Sequence, residues 1–138
     1  MATCIFCRIA NGEIPSQTVY EDEDFRVFMD VNPASPGHML IVPKAHYENL
    51  YELPEELAAK AMVLAKRMAQ AAKEAYHPEG LNVVQNNGEV AGQSVMHYHL
   101  HVVPRYKGIG QFNAWEGQST DPKEIETMAD KLKKQLES

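Results

Sequence analysis

Three histidines at alternate positions, His97, His99 and His101, have the spacing in this chain that most directly indicates chemistry. Successive side chains of a β-strand point to opposite faces, so a spacing of two places all three imidazoles on one face. The interleaved residues are aromatic or aliphatic, which favours a strand whose other face is buried. These residues are Tyr98, Leu100 and Val102. We therefore predict a strand over 97–103 that presents a row of imidazoles to a site.

The length of this row limits what a single metal ion could bind. Alternate Cα atoms of a strand are about 6.6 Å apart, so the outer histidines are separated by about 13 Å. An ion with nitrogen ligands at about 2.0–2.1 Å reaches two neighbours of the row, whereas a third is a stretch. We expect the row to divide, with one end structural and the rest chemical. The alternative is three solvated histidines on an exposed sheet face, which strict alternation disfavours.

The middle histidine, His99, is the candidate nucleophile. A neutral imidazole is a nucleophile and a proton carrier near neutral pH. The loop over 86–94 is rich in Asn and Gly, and backbone N–H groups around Gly92-Gln93-Ser94 could stabilise developing negative charge. Attack of His99 on a phosphorus atom would give a phosphohistidine-type intermediate that water resolves. A Walker-type loop is absent from the sequence, so P-loop chemistry is not indicated.

The two cysteines, Cys4 and Cys7, have a Cys-x-x-Cys spacing close to the first residue of the sequence. A thioredoxin-like redox motif should follow a strand, and none precedes this one. Half of a zinc site is the better functional interpretation, because tetrahedral closure needs two further ligands. Two unremarkable thiols in a short helix remain the alternative.

Composition and charge bound the class of protein. The chain has 138 residues, of which 44% are hydrophobic and 23% charged, as is ordinary for one globular domain. Its net charge of −6 argues against a nucleic-acid polymer or an anionic membrane as the main partner. Neither a secretory signal pattern nor an apolar run long enough to span a membrane is visible. We expect a soluble, cytoplasmic protein.

The hydrophobic pattern predicts a short helix, three strands, a long helix, two strands and a final helix. Hairpin-like connections dominate, which favours an α+β architecture with an antiparallel sheet and a long helix packed on it. The predicted ranges are helix 4–11, strands 18–20, 25–29 and 38–42, helix 54–76, strands 81–85 and 97–103, and helix 122–136. His38 enters a buried strand and His77 ends a helix, and neither receives a functional role. Trp115 is a candidate for specificity or for packing.

The histidine strand and its surroundings resemble the histidine-triad (HIT) superfamily. His97-Tyr98-His99-Leu100-His101-Val102-Val103 matches the His-φ-His-φ-His-φ-φ signature, where φ is an apolar residue. Gly92-Gln93-Ser94 and the segments 30–33, 36–38 and 42–46 are similar to the Hint branch. The similarity spans roughly 4–105, leaving 106–138 as a C-terminal extension of one HIT domain over 1–138. It implies a homodimer whose sheets join into one continuous sheet.

The resemblance also implies roles for individual residues. His99 would be the nucleophile that forms a nucleotidyl-histidine, with His101 and Ser94 completing the catalytic set. The residues implied to contact the phosphate are Asn86, Gln93, Ser94 and His101, beside Gly92. Asp30, with Asn32 close by, would bind the ribose hydroxyls. The residues implied to wall a purine base are Ile14, Phe28 and Met29, although plain core packing is the alternative for all three.

Bacterial members that begin with Cys-x-x-Cys bind zinc, and the resemblance assigns the same function to this chain. The implied ligands are Cys4, Cys7, His46 and His97, a set without an open position and therefore structural. No organic cofactor is implied. The resemblance favours a purine nucleoside phosphoramidase acting on a mononucleotide joined to an amine. Dinucleoside polyphosphate hydrolysis and a non-enzymatic nucleotide-binding module are the competing hypotheses.

Overall fold

The computed structural model describes residues 4–108 and 120–137, and its elements follow the predicted order. They are α1 (Ile5–Ala10), β1 (Thr18–Glu21), β2 (Phe25–Met29), β3 (Met39–Pro43), α2 (Glu55–Tyr76), β4 (Gly80–Gln85), β5 (Leu100–Arg105) and α3 (Pro122–Glu137), with a 3₁₀ turn over Glu89–Ala91. The predicted α+β class is confirmed. Trp115 lies outside the described residues, so its predicted roles stay open.

The five strands form one antiparallel sheet in the order β1-β2-β3-β5-β4. β5, which follows the first two histidines, is therefore an inner strand between β3 and β4. The predicted strand over 38–42 is β3, one residue later than expected. Its neighbour on the other side is β2, so β2, β3 and β5 can direct side chains to one common site.

The two faces of the sheet are covered by different helices. α2 and α3 pack on one face over the main core, which contains Val27, Ile41 and Leu100. α1 lies on the other face, where Phe6 packs with alternate strand residues such as Leu40. Because side chains alternate along each strand, the apolar residues between the histidines enter the main core and the histidines face α1.

The predicted strand over 97–103 begins too early, because β5 starts only at Leu100. The ladder between β3 and β5 ends at the pair Ile41 and Leu100. Beyond it Pro43 has no N–H to donate, and its carbonyl accepts a hydrogen bond from the His97 ring. The histidines nevertheless alternate with core residues as expected. The backbone N–H of Tyr98 donates a hydrogen bond of 2.6 Å to the Tyr47 carbonyl, which holds Tyr98 in the core.

The long helix α2 supports the sheet behind the site. Glu55 and Glu56 occupy its first turn, where carboxylates complement the positive end of the helix dipole. Pro54 is the N-cap rather than the first helical residue. The helix ends at His77, whose φ of 51° is left-handed. Among the described residues, no helix combines the length and apolar character needed to cross a membrane.

Candidate active site and metal centre

His99 lies just before β5, buried against α1. Its Nδ1 is 2.7 Å from the carbonyl oxygen of His97. A carbonyl oxygen only accepts hydrogen bonds, so Nδ1 carries the proton and Nε2 keeps its lone pair. Burial lowers the pKa of His99 below its ordinary value. A neutral imidazole with a defined free nitrogen is the form that nucleophilic attack requires.

His101 is the first histidine of the row inside β5, and its ring centroid is 4.9 Å from that of His99. Its Nδ1 is 2.9 Å from Nε2 of His38. The Nδ1 of His38 in turn accepts the N–H of Ala34 at 3.0 Å. His38 therefore donates through Nε2–H, and His101 accepts at Nδ1. His101 is left with an Nε2–H that can donate to an anionic ligand.

Both of these histidines are neutral near pH 7. Burial lowers the pKa of His38 to about 4 and that of His101 to about 3. Hydrogen bonds thus run from the Ala34 N–H to His38 and from His38 to His101. Both imidazoles are neutral, and the hydrogen bond that each accepts sets its tautomer. This arrangement places a hydrogen-bond donor beside the neutral imidazole of His99.

Sequence reasoning missed His38, which received no role. Leu40 pairs with His101 across β3 and β5, and His38 is two residues before Leu40 on the same face. That diagonal placement brings the two rings together. The adjacency of β3 and β5 would have identified His38, but no local pattern in the sequence states which strands are neighbours.

Asp30 follows β2 and lies at the same edge of the site. One carboxylate oxygen accepts the N–H of Asn32 at 2.8 Å, and the other is 3.6 Å from Nε2 of His38. Burial raises the pKa of Asp30 above its ordinary value. Asn32 itself is exposed. Asp30 and His38 are therefore brought together, with the Asp30 backbone N–H bonded to the His38 carbonyl at 3.0 Å.

The loop before the histidines is shaped by two left-handed glycines, Gly88 and Gly92, with φ of 94° and 99°. The Gln93 side chain is buried and supports the loop from within. Its amide nitrogen donates to the Glu48 and Val95 carbonyls, and its oxygen accepts the Gly88 N–H. Ser94 and Gly92 are exposed, and the Asn86 side chain lies against Gly92.

The residues predicted to wall a base are divided between the two faces of the sheet. Phe28 packs edge-to-face on Phe6, with ring centroids 5.8 Å apart, on the face that carries the histidines. Ile14 is partly buried. Met29 lies in the main core on the opposite face, because it is the next residue after Phe28 along β2. The structure does not bring Met29 together with Phe28.

The cysteines Cys4 and Cys7 meet His46 and His97, and the four ligand atoms all lie within 4.8 Å of one another. The Nδ1 atoms of His46 and His97 are 3.2 Å apart, and the contacts between these nitrogens and the cysteine sulfurs are 3.2–3.4 Å long. A tetrahedral ion with ligands at about 2.0–2.3 Å would space them by about 3.3–3.8 Å. His97 donates its Nε2–H to the Pro43 carbonyl at 2.8 Å, so its Nδ1 lone pair faces the cluster.

The chemistry of this donor set fits a bound cation. Burial raises the pKa of the Cys7 thiol to about 11, so a thiolate there needs a compensating positive charge. Two cysteines and two histidines are a common ligand set of structural zinc sites. A cavity of about 530 Å³ adjoins the cluster, lined by Cys4, Ile5, His46, Glu48, Ser94, Val95 and Met96. It extends from the Cys/His cluster to the loop that precedes His99.

A second group of possible ligands, Asp30, His38 and His101, differs from the first in its protons. The Ala34 N–H occupies Nδ1 of His38, so the other ring nitrogen carries a proton that is directed at His101. A metal ion bound at Nε2 of His38 would require the ring proton to move to Nδ1, and the Ala34 N–H would then have no acceptor there. These three residues form a hydrogen-bonded array, whereas the Cys/His cluster directs lone pairs inward.

Comparison with known proteins places this geometry in a family. Residues 11–108 match the HIT domain model. The chain belongs to the HIT family. It is 44% identical to the protein named Protein hit of Bacillus subtilis, over 98% of this chain and 95% of that protein. It is 42% identical to an adenosine 5′-monophosphoramidase of Saccharomyces cerevisiae, over 87% of this chain and 74% of that protein.

One solved structure of the same fold contains zinc. The zinc-bound histidine triad family protein of Mycobacterium smegmatis superposes with a TM-score of 0.86 at 36% identity, covering 99% of this chain and 94% of that one. The predicted membership of the histidine-triad superfamily is confirmed. At the level of the family, the named relatives support a nucleotide hydrolase.

Proposed function

We propose that this protein is a purine nucleoside phosphoramidase that hydrolyses the P–N bond of AMP joined to an amine. The observation that carries the proposal is the 2.7 Å bond from His99 Nδ1–H to the His97 carbonyl, which leaves Nε2 as the nucleophile. The name of the yeast relative supports the substrate class.

In the proposed reaction, Nε2 of His99 attacks the α-phosphorus, and the bond from phosphorus to the amine nitrogen breaks. The amine nitrogen takes one proton from solvent as it leaves, and the nucleotide remains on His99; the water of the second step returns one proton to solvent. Water then attacks phosphorus, the bond to His99 breaks, and AMP is released with neutral His99 restored. The Nε2–H of His101 donates to a phosphate oxygen, whose charge grows in each transition state.

The remaining residues of the site position the nucleotide. Asp30 accepts hydrogen bonds from the ribose hydroxyls, while Phe28 and Ile14 wall the base. Phosphate contacts come from the loop 86–94, through Asn86, Ser94 and the backbone at Gly92 and Gln93. Since the Gln93 side chain makes three hydrogen bonds inside the protein, its contribution is to hold the loop in shape.

Turnover of an adenosine phosphoramidate tests the proposal directly. His99→Ala should lower kcat by about 10³-fold or more, because it removes the nucleophile. His77→Asn is the matched control, since His77 is exposed far along α2 and Asn tolerates its left-handed backbone. If wild type binds AMP without turnover, the protein is a nucleotide-binding module. Turnover of diadenosine polyphosphates in place of the phosphoramidate would identify the protein as a dinucleoside polyphosphate hydrolase.

We further propose that Cys4, Cys7, His46 and His97 bind one structural zinc ion. The support is the convergence of their ligand atoms and the zinc-bound relative. When bound, zinc supplies a charge that stabilises the thiolates of half-buried Cys4 and buried Cys7, and it joins α1 to the segment before β5. Elemental analysis should find about one zinc per chain. Less than half an equivalent, with none taken up on addition, would refute the site.

We also propose one HIT domain over 1–138 that forms a homodimer through β4. α3 buries Ile125 and Leu132 in the same core as α2, so the extension is part of the domain. β4 is an edge strand, and Val83 on it is 41% exposed. Pairing of two such edges would satisfy their free backbone groups. Sedimentation should give a dimer at micromolar concentration, and a monomer there would refute this assembly.

A further inference from the structure

Phe6 connects the Cys/His cluster to the nucleophile. It lies in α1 between Cys4 and Cys7, and its ring meets two histidine rings edge-to-face. The ring centroids are 6.3 Å apart for His97 and 5.0 Å apart for His99. Phe6 is 9% exposed, so these contacts are made inside the protein. A side chain flanked by two metal ligands thus packs on the imidazole that attacks phosphorus.

His97 supplies a second connection between the same two sites. Its ring nitrogen Nδ1 points into the Cys/His cluster, 3.3 Å from the sulfur of Cys4 and 3.4 Å from that of Cys7. Its backbone carbonyl accepts the Nδ1–H of His99. Any rotation of the His97 residue that accompanies loss of its ring contacts would also move the carbonyl that sets the His99 tautomer.

α1 depends on these attachments for its position. It has six residues, and helices this short are unstable unless tertiary contacts hold them. Besides the packing of Phe6 and Ala10, its end is held by hydrogen bonds from Arg26 to Ala10 and from Asn11 to the Lys44 carbonyl. Its first turn is held at the cluster, where Cys4 is the N-cap.

We propose that Phe6 is a positioning residue for His99, and that occupation of the Cys/His cluster fixes both Phe6 and the His97 carbonyl against that ring. The metal centre then controls the orientation and tautomer of the nucleophile in addition to stabilising the fold. The inference rests on the proposed function for the role of His99 as nucleophile and for the zinc ion in the Cys/His cluster. Its structural part concerns two sites that share α1 and one peptide carbonyl.

Imidazole ¹⁵N spectra of the full chain test the structural part without any turnover. In the zinc-loaded wild type, His99 should show one Nδ1–H tautomer. Phe6→Leu with zinc bound, and wild type after chelation, should shift its nitrogens toward a mixture of tautomers. Phe25→Leu is the matched control, because it removes a buried Phe from the opposite face of the sheet. If the zinc-free chain unfolds, the spectra of zinc-loaded Phe6→Leu and zinc-loaded Phe25→Leu are compared instead.

Single-turnover kinetics test the catalytic part. Phe6→Leu should slow formation of the nucleotidyl-enzyme by about 10- to 100-fold, with KM changed far less, because misplaced groups cost rate more than ground-state binding. Phe25→Leu should leave the rate unchanged. An unaltered His99 tautomer and rate in zinc-loaded Phe6→Leu would overturn the proposal. A tautomer that follows Phe6 and zinc in a chain without turnover would uphold the coupling and refute the hydrolase.

Discussion

The two hydrogen bonds of His38 can be removed one at a time, which makes this residue the sharpest test of the tautomer argument. Its Nδ1 accepts the Ala34 N–H at 3.0 Å, and its Nε2–H donates to His101 at 2.9 Å. In His38→Asn the side-chain oxygen can replace Nδ1 but does not reach His101. In His38→Gln the terminal amide can replace Nε2–H but leaves Ala34 without an acceptor.

Both variants should lose similar stability. His38 is 4% exposed, and each substitution leaves one polar group buried without a partner. Such a group costs about 1–3 kcal/mol, so the free energy of unfolding should fall by about that amount in each variant. A small further loss is expected from the smaller side chains, and it should be greater for Asn than for Gln.

Activity should separate the two variants although stability does not. His38→Gln keeps the donor that fixes the His101 tautomer, whereas His38→Asn lets Nδ1 of His101 carry the proton for part of the time. We expect kcat to fall about tenfold more in His38→Asn, since a donor to the developing charge is lost. Urea denaturation and phosphoramidate turnover give the two numbers. Equal kcat in variants of equal stability would refute the assignment of His101 as an Nε2–H donor.

Three other expectations follow from the same structure. Gly37→Ala should destabilise the fold by a few kcal/mol on urea denaturation, because φ is 92° and a Cβ would lie 2.6 Å from the Tyr76 ring. The pKa values of His38 and His101 are lowered, so the unfolded chain binds more protons as pH falls from about 6.5 to about 4. The free energy of unfolding should therefore fall over that range by up to about 1.4 kcal/mol per pH unit for each histidine. The fall should be smaller in a variant that carries both His38→Gln and His101→Gln. Val83→Arg should shift sedimentation toward monomer if the β4 edges pair.

The elements of the fold could be predicted from the sequence because each has a strong local pattern. β2 has the predicted bounds, and α2 begins one residue after the predicted start because Pro54 caps it. The start of β5 could not be predicted, because it depends on contacts between distant segments. Pro43 ends the ladder from β3, and the side chain of His97 takes the carbonyl that a strand residue would have used.

The candidate site was predicted in part. The convergence of Cys4 and Cys7 with two histidines appears as the resemblance implied, although 39 to 93 residues separate the contacting pairs. His38 was missed because its partner is on a neighbouring strand. The resemblance implied that Met29 and Phe28 wall the base together, whereas strand alternation sends them to opposite faces. Local patterns show which residues of one strand share a face, but they do not show which strands are neighbours.

The three histidines of the row differ in the group that forms a hydrogen bond with one of their two ring nitrogens. That bond determines the protonation of the other nitrogen. The carbonyl of Pro43 accepts the Nε2–H of His97, so the Nδ1 lone pair is free to bind a metal. The carbonyl of His97 accepts the Nδ1–H of His99, so the Nε2 lone pair is free to attack. His38, set by a backbone N–H, makes His101 a donor instead. The proposed ligand, nucleophile and donor roles of these identical side chains thus depend on neighbouring groups, so a substitution that moved those groups would change which ring nitrogen is free without replacing a histidine.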